Sequence, residues 1–432
     1  MIPIVVSVLL VLIFAGVPVA FALMISGFAA VAITDSFPLY IAVQRFVSGL
    51  NSFSLMAVPL FIMAGAIMSK GGIAKQIVNF ASALFSWMRG GLSIVCVAAN
   101  MIFAAISGSG AAAISAIGSL TAPAMVEKGY KKNFVGALIG GAGSLGPVIP
   151  PSVDMIVFAS ITGLSVQRMF MGGIVPGFFI GGCMMLVCFL YAKKHNIDYG
   201  GKFQVAAVWK SFKEAVWALI MPLIIVGGVA SGVFTATESG AMACVYGLII
   251  GIFVYKELTW KDLIPCFKKA TAGTAQCMMI LAASTLYSYI FTVENVGPVL
   301  QAWLMKVSGG SVIGIMFVTA GIMILIGMFM ESLAAMPIVL PIVFPMLESM
   351  GCNMNQFGVM FCLCTVLGGL TPPVGVYLFM ASFVARVKAS KIIPWMLVFI
   401  SIIIVAICIA GLVPQFTCFI PDLLYGPVVK IR

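Results

Sequence analysis

Charge is what this chain has least of. Only 8% of its 432 residues are charged against 62% hydrophobic, and the mean hydropathy is +1.21. Soluble domains carry about 25% charged residues, so a chain with this little polar surface does not face water on all sides. Histidine is nearly absent: His195 is the sole one and sits in a charged connection. That excludes His-based metal centres and Ser-His-Asp chemistry, and no catalytic residue or transition-metal site is expected. The eleven cysteines are scattered singly through apolar runs, except Cys362 and Cys364, whose spacing a helix points apart. Packing is their expected role. Missing too are the basic opening and small-residue cleavage site of a secretory signal. MIPIVVSVLLVLIFAG continues apolar to Ile33, so one retained helix is expected over 1–33.

What is present is apolar runs such as 392–413, long enough to cross hydrocarbon as helix. The expected class is an all-α polytopic membrane protein in a lipid bilayer. The net charge of +11 would suggest nucleic acid in a soluble chain. Here the excess lies in connections, and no nucleic acid partner is expected. Lys193, Lys194, Lys202, Lys210 and Lys213 fall in one connection and Lys256, Lys261, Lys268 and Lys269 in another, with two apolar stretches between. Two helices, out and back, put both on one face, which the positive-inside rule makes cytoplasmic.

The chain repeats itself. Pro150 and Pro151 recur as Pro372 and Pro373, and the same ungapped shift of 222 positions pairs Pro123 with Pro345, Gly129 with Gly351, Asn133 with Asn355 and Gly146 with Gly368. Chance apolar similarity does not hold glycines, prolines and an asparagine in register. The turn of the first copy is basic (Lys128, Lys131, Lys132), whereas its twin at 347–355 has no basic residue and one acid, Glu348. The copies therefore face opposite sides, an inverted repeat of the kind secondary transporters use for alternating access. Each copy opens with an apolar stretch (92–127, 312–349) interrupted by SGSG at 107–110 or MES at 330–332. Two re-entrant helical hairpins are expected, each followed by a discontinuous helix at 133–165 or 355–384.

Nine full crossings remain: 1–33, 54–69, 133–165, 170–192, 215–233, 239–255, 270–293, 355–384 and 392–412. Segments 35–50, 73–88 and 297–308 are expected to be interfacial. The loop GKFQVAAVWKSFKE (200–213) is expected to lie along the membrane surface. The domain division follows: 1–90 scaffold, 91–192 first repeat, 193–269 basic connections and central scaffold helices, 270–310 helices leading to the second repeat, 311–384 second repeat, 385–432 C-terminal helix and tail.

Inside hydrocarbon an unwound segment is tolerated only where it lines a cavity or binds something. GPVIPPS at 146–152 lacks three N–H donors and cannot run helically through its diproline. Alone, such a kink is a packing bend; recurring beside an interrupted hairpin, it reads as a site. The freed carbonyls around Gly146, Val148 and Pro150 suit a hard cation such as sodium, with Ser107 and Ser109 completing the shell. The twin set is Gly327, Gly369 and Thr371 with the second tip. Of four acids within or near spans, Asp154 and Glu331 adjoin the breaks and rank first as ion ligands, hydroxyl acceptors or a coupling group. Glu238, in TATESGA, reads as a helix cap, and Glu294 as a solvated helix end. No lysine or arginine is placed deep in a span, so an anionic substrate would rely on helix N-termini, hydroxyls and bound cations.

The stretches PLFIMAGAIMSKGGIAKQIVNFA (59–81), ISGSGAAAISAIGSLTAPAMVEKGY (106–130), GSLGPVIPPSVDMIVFASITGLSVQRMFMGGIVPG (143–177), TATESGA (235–241) and FGVMFCLCTVLGGLTPPVGVYLF (357–379) resemble the large membrane subunit of tripartite ATP-independent periplasmic (TRAP) transporters, the DctM-like family. The resemblance implies an inverted-repeat, elevator-type transporter of the bacterial inner membrane. It further implies Na+ as the coupling ion, import of a small organic anion, a periplasmic substrate-binding protein and a small four-helix membrane subunit. No further four-helix block flanks these stretches, so that subunit is expected as a separate chain. Carried over by motif, Ser107, Ser109, Gly146, Val148, Pro150, Gly327, Glu331, Gly369 and Thr371 would hold sodium, and Ser109, Ser152, Asp154, Glu331, Ser332 and Pro373 the substrate. This chain departs from the pattern twice: Glu331 stands where the family has aspartate, and Asp154 where it has an apolar residue or proline. C4-dicarboxylates, sialic acid, other sugar acids and sulfonates are compatible cargoes. The rivals are a stand-alone ion-coupled anion transporter of the same fold and an intramembrane enzyme, for which one loop histidine is poor material.

Overall fold

The computed structural model describes residues 1–197, 203–330 and 332–427, and every regular element among them is helical. Six stretches are long and apolar enough to cross a bilayer: Phe53–Lys70, Val166–Lys194, Val205–Ala230, Ala236–Val254, Trp260–Val293 and Ala389–Leu412. They coincide with six of the nine expected spans. The other three are each divided, two of them at the expected diprolines. The third division corrects the single helix expected over 1–33: Ile2–Phe14 and Val19–Thr34 are separate helices packed on one another. Gly16, at φ +82°, and Pro18 turn the chain between them, a Gly-x-Pro stop that uniform hydropathy hides.

The three interfacial segments are the short helices Leu39–Ser48, Ile73–Phe85 and Val296–Val307. At 1.5 Å per residue the longest reaches about 20 Å, less than the hydrocarbon thickness. The basic amphipathic loop differs from expectation. From Val205 it is continuous helix to Pro222, because nothing between them breaks a helix; it extends a span instead of lying beside one.

Hairpin 1 is Gly91–Ser107 and Gly110–Glu127, and hairpin 2 is Val312–Gly327 and Ser332–Ser349. Broken helix 1 is Lys132–Gly143 and Val153–Thr162, and broken helix 2 is Met354–Leu370 and Val376–Ala385. Both diproline bonds, Pro150–Pro151 and Pro372–Pro373, are cis. The repeats interlock: the second limb of hairpin 1 packs on Val376–Ala385, and its twin, the second limb of hairpin 2, packs on Val153–Thr162. One large core runs through this interlocked body, where Phe158 meets Phe344, Phe357 and Phe361 at ring-centroid distances of 6.4, 6.1 and 5.4 Å. A smaller core joins Val19–Thr34 and Leu39–Ser48 to the outer half of the long helix Trp260–Val293, whose 34 residues span about 50 Å.

Tip and break touch directly in the first copy. A Cβ on Gly146 would stand 2.5 Å from the backbone of Ser109 and Gly110. Gly146→Ala therefore forces two backbones apart, a cost of about 1–3 kcal/mol, and should lower the thermal unfolding midpoint of the detergent-solubilised protein. Gly182→Ala, where nothing lies within 4 Å, should leave it unchanged.

Candidate functional site

Four half-helices begin near the middle of the fold, and residues from the N-terminal turn of each line one cavity of about 250 Å³: Gly110 and Ala111, Val153 and Asp154, Leu333, and Val376 and Tyr377. A helix start presents unpaired N–H groups and the positive end of the macrodipole. Four of them face one space and bring partial positive charge to it without any buried lysine, beside one carboxylate, Asp154. Much of the remaining wall is the long helix Trp260–Val293, which contributes Lys269, Gly273, Gln276, Cys277 and Ile280. Lys269 is exposed at the rim.

Hairpin tip 1 turns at Gly108 with φ +59°, and a Cβ there would stand 2.5 Å from the carbonyl oxygen of Pro151. Glycine is required both for the left-handed conformation and for that approach. The tip carbonyl of Gly108 accepts from the N–H of Val153 at 3.4 Å, and in the second copy Met328 O accepts from Val374 N–H at 3.1 Å. Each tip thus ties down the neighbouring break, the first at the residue that restarts the helix and the second two residues before Val376, where its helix begins. Ser107 ends the first limb, 1% exposed, and its Oγ is buried without a hydrogen-bond partner among the described residues. Ser109 caps the second limb, accepting from Ala112 N–H at 3.4 Å, and lines the cavity.

The expected residues separate into three groups. Ser107, Ser109, Gly146 and Asp154 are gathered around tip 1 and the cavity; in the second copy a Cβ on Gly327 would stand 2.9 Å from Gly368 Cα, and Gly369 lines the cavity. Thr371 caps the break, donating to Leu367 O at 2.7 Å. Four residues lie elsewhere. Ser152 is fully buried and outside the cavity wall, its hydroxyl donating to Pro147 O at 2.6 Å and accepting from Met155 N–H at 3.2 Å. It staples the break shut and caps the helix that follows. The Val148 carbonyl abuts Gly173 on Val166–Lys194, where a Cβ would come within 2.3 Å of it. Pro150 lines an apolar crevice with Met101 and Ile174, and Pro373 is exposed. Glu331 lies outside the described residues; Ser332 opens the second limb of hairpin 2.

Asp154 is 5% exposed and lies against Thr365 of the other repeat, whose Oγ1 is 3.1 Å from its Oδ2. Glu238 is the cap expected of it: its Oε2 accepts from Thr235 N–H at 2.8 Å while Thr235 Oγ1 accepts from Glu238 N–H at 3.2 Å. Glu294 caps the end of the long helix, partly exposed.

Sequence reasoning missed Lys269, Gln276, Thr365 and Tyr377. Gln276 carried a signal: an amide inside an apolar span, on the helix face shared by 269, 273, 277 and 280. A search confined to acids passed over it. Thr365 and Tyr377 carried none, since a threonine in an apolar helix is common and its partner lies 211 positions away.

A second cavity of about 420 Å³ lies further along the long helix, between Ser284, Thr285 and Ser288 on one side and Ser160, Pro337 and Pro341 on the other. At its edge Ser52 and Ser160 hydroxyls are 2.9 Å apart, bridging the helix Ala57–Lys70 region to broken helix 1.

The family described as "Tripartite ATP-independent periplasmic transporter, DctM component" matches residues 6–416. The chain is 36% identical over 94% of its length to the isethionate TRAP transporter permease protein DctMQ of Oleidesulfovibrio alaskensis, of which it spans 64%. It is 34% identical to the 2,3-diketo-L-gulonate TRAP transporter large permease protein YiaN of Escherichia coli, covering 96% of each. The crystal structure of the Alcanivorax borkumensis YdaH transporter superposes with a TM-score of 0.60 at 16% identity, covering 88% of this chain and 89% of that one. The interlocked inverted repeat, its re-entrant hairpins and discontinuous helices are thus an elevator-type fold, and the chain belongs to the DctM component family of tripartite ATP-independent periplasmic transporters, a multi-pass membrane transporter subunit and not an enzyme.

Proposed function

We propose that this chain is the transport subunit of a sodium-driven importer of a small organic anion in the bacterial inner membrane. A periplasmic substrate-binding protein delivers the cargo, and a small four-helix membrane subunit completes the assembly. The observation that carries this is the single cavity on which both hairpins and both broken helices converge, electropositive from helix starts. The names of the relatives, an isethionate permease and a 2,3-diketo-L-gulonate permease, favour a small acid. Sodium is supported by Ser107: a buried hydroxyl without a partner among the described residues, at a tip where carbonyls crowd, suits a hard cation.

The mobile domain of the elevator comprises 91–192 and 311–384, with Ala389–Leu412, which packs on both broken helices. The scaffold is 1–90 and 193–310. The cavity meets the long helix over 269–280, with exposed Lys269 at its rim on the side of the basic connection, and on this reading the site opens toward the cytoplasmic face. On the other side the Ser52–Ser160 contact holds the mobile domain to the scaffold.

Three outcomes test this reading. Proteoliposomes holding the chain with both partners should take up isethionate or a related acid down a sodium gradient; uptake as fast by the chain alone would make it a stand-alone transporter. Ser107→Ala and Thr371→Ala should each raise the sodium concentration for half-maximal uptake about tenfold, equivalent to ~1.4 kcal/mol, and unchanged sodium dependence removes the hydroxyls from the ion sites. Oxidising the Ser52→Cys/Ser160→Cys double variant should stop uptake and reduction should restore it; transport undiminished by a formed cross-link rules out relative movement at this contact.

A further inference from the structure

The cavity breaks its own pseudosymmetry at one position. The 222-residue shift pairs Asp154 with Val376, and both line the cavity, one as a carboxylate and the other as an apolar side chain. Asp154 stands in the first turn after the Ser152 cap, nine-tenths and more out of solvent, with Thr365 Oγ1 at 3.1 Å. Thr365 Oγ1 also lies 2.7 Å from Cys362 O. Hairpin tip 1 and the opposite wall carry the contrary sign: Ser109 and the helix start at Gly110, and Lys269 at the rim.

An ionised carboxylate only accepts hydrogen bonds. It offers a bound molecule a seat for an O–H or N–H and repels a second carboxylate, strongly so where water is scarce. A cavity with an acceptor on one wall and an electropositive rim therefore fits a molecule that has an anionic group at one end and a donor at the other. Its volume, about 250 Å³, lies just below that of drug-sized ligand sites, about 300–1,000 Å³, so only a small molecule fits.

We propose that Asp154 makes this chain select small acids bearing a hydroxyl or ammonium group, such as hydroxy acids, amino acids or hydroxysulfonates, and discriminate against their unsubstituted counterparts. This rests on the organic-anion reading above and narrows its substrate class. Asp154 sits in the body that would carry the cargo, so its filter acts throughout transport and in addition to any choice made by a delivering protein.

The test is binding to the purified full chain in nanodiscs at saturating sodium, by calorimetry and thermal stabilisation, with matched pairs: isethionate and ethanesulfonate, malate and succinate, lactate and propionate. The hydroxylated member should bind at least about tenfold more tightly, because a site built around a hydrogen bond rejects the analogue that lacks it. Asp154→Val, which copies the twin position, should bring each ratio to within about threefold. Asp154→Asn, which keeps an acceptor oxygen, should fall between. Both variants should retain stabilisation by sodium, which also reports that they are folded. Equal affinities within the wild-type pairs, or an unchanged ratio in folded Asp154→Val, overturns the proposal. So does loss of sodium stabilisation with the hydroxyl preference intact, which makes the carboxylate an ion ligand. Binding of no acid of either kind to the wild type overturns the organic-anion reading along with it.

Discussion

In hydrocarbon a backbone N–H or C=O without a partner costs about 2–7 kcal/mol, and the structure is organised by how it meets that demand at four interruptions of its helices. Each tip carbonyl takes an N–H from the adjacent break, Gly108 from Val153 where the helix restarts and Met328 from Val374 two residues before it does. Side chains cover what remains, Ser152 on Pro147 and Thr371 on Leu367. A tip cannot be satisfied without its break, nor a break without its tip. Hairpin and broken helix are therefore one unit, and the interlock of the two copies makes both units one body.

The two copies share a plan and differ in surroundings. The first break is sealed, with every residue from 144 to 153 buried, whereas Pro373 and Val374 of the second are exposed. The difference comes from what lies outside the repeat: Val166–Lys194 covers the first break, bringing Gly173 against the Val148 carbonyl. The long helix Trp260–Val293 touches both cavities in turn. One continuous element thus stands beside a pair of interrupted ones.

Polar residues in this chain divide by what they answer to. Glu238 and Ser152 close local hydrogen bonds within a few positions of themselves, and their roles are those of caps where helices start. Asp154, Thr365, Lys269 and Gln276 meet only because three distant segments converge on one cavity. Ser107 stands between the groups, a cap by position whose hydroxyl closes no local bond.

The sequence by itself determined the membrane class, the six uninterrupted spans, both hairpins, both breaks and the 222-residue repeat, because each is written in composition, in glycine and proline at fixed offsets, or in the sidedness of lysine. It also marked Asp154, since a carboxylate in an apolar run stands out without any knowledge of its partner. Only the tertiary structure decided which freed groups face the cavity: that Ser152 turns into its own break, that the Val148 carbonyl lies against Gly173, and that Gln276 and Thr365 join Asp154 there. It also split the first apolar run at Gly16 and Pro18. The physical reason is range. Backbone breaks follow from neighbours in the chain, whereas the surroundings of a carbonyl or carboxylate at a break depend on which helix comes to lie against it, 25 positions on for Val148 and Gly173 and 211 for Asp154 and Thr365.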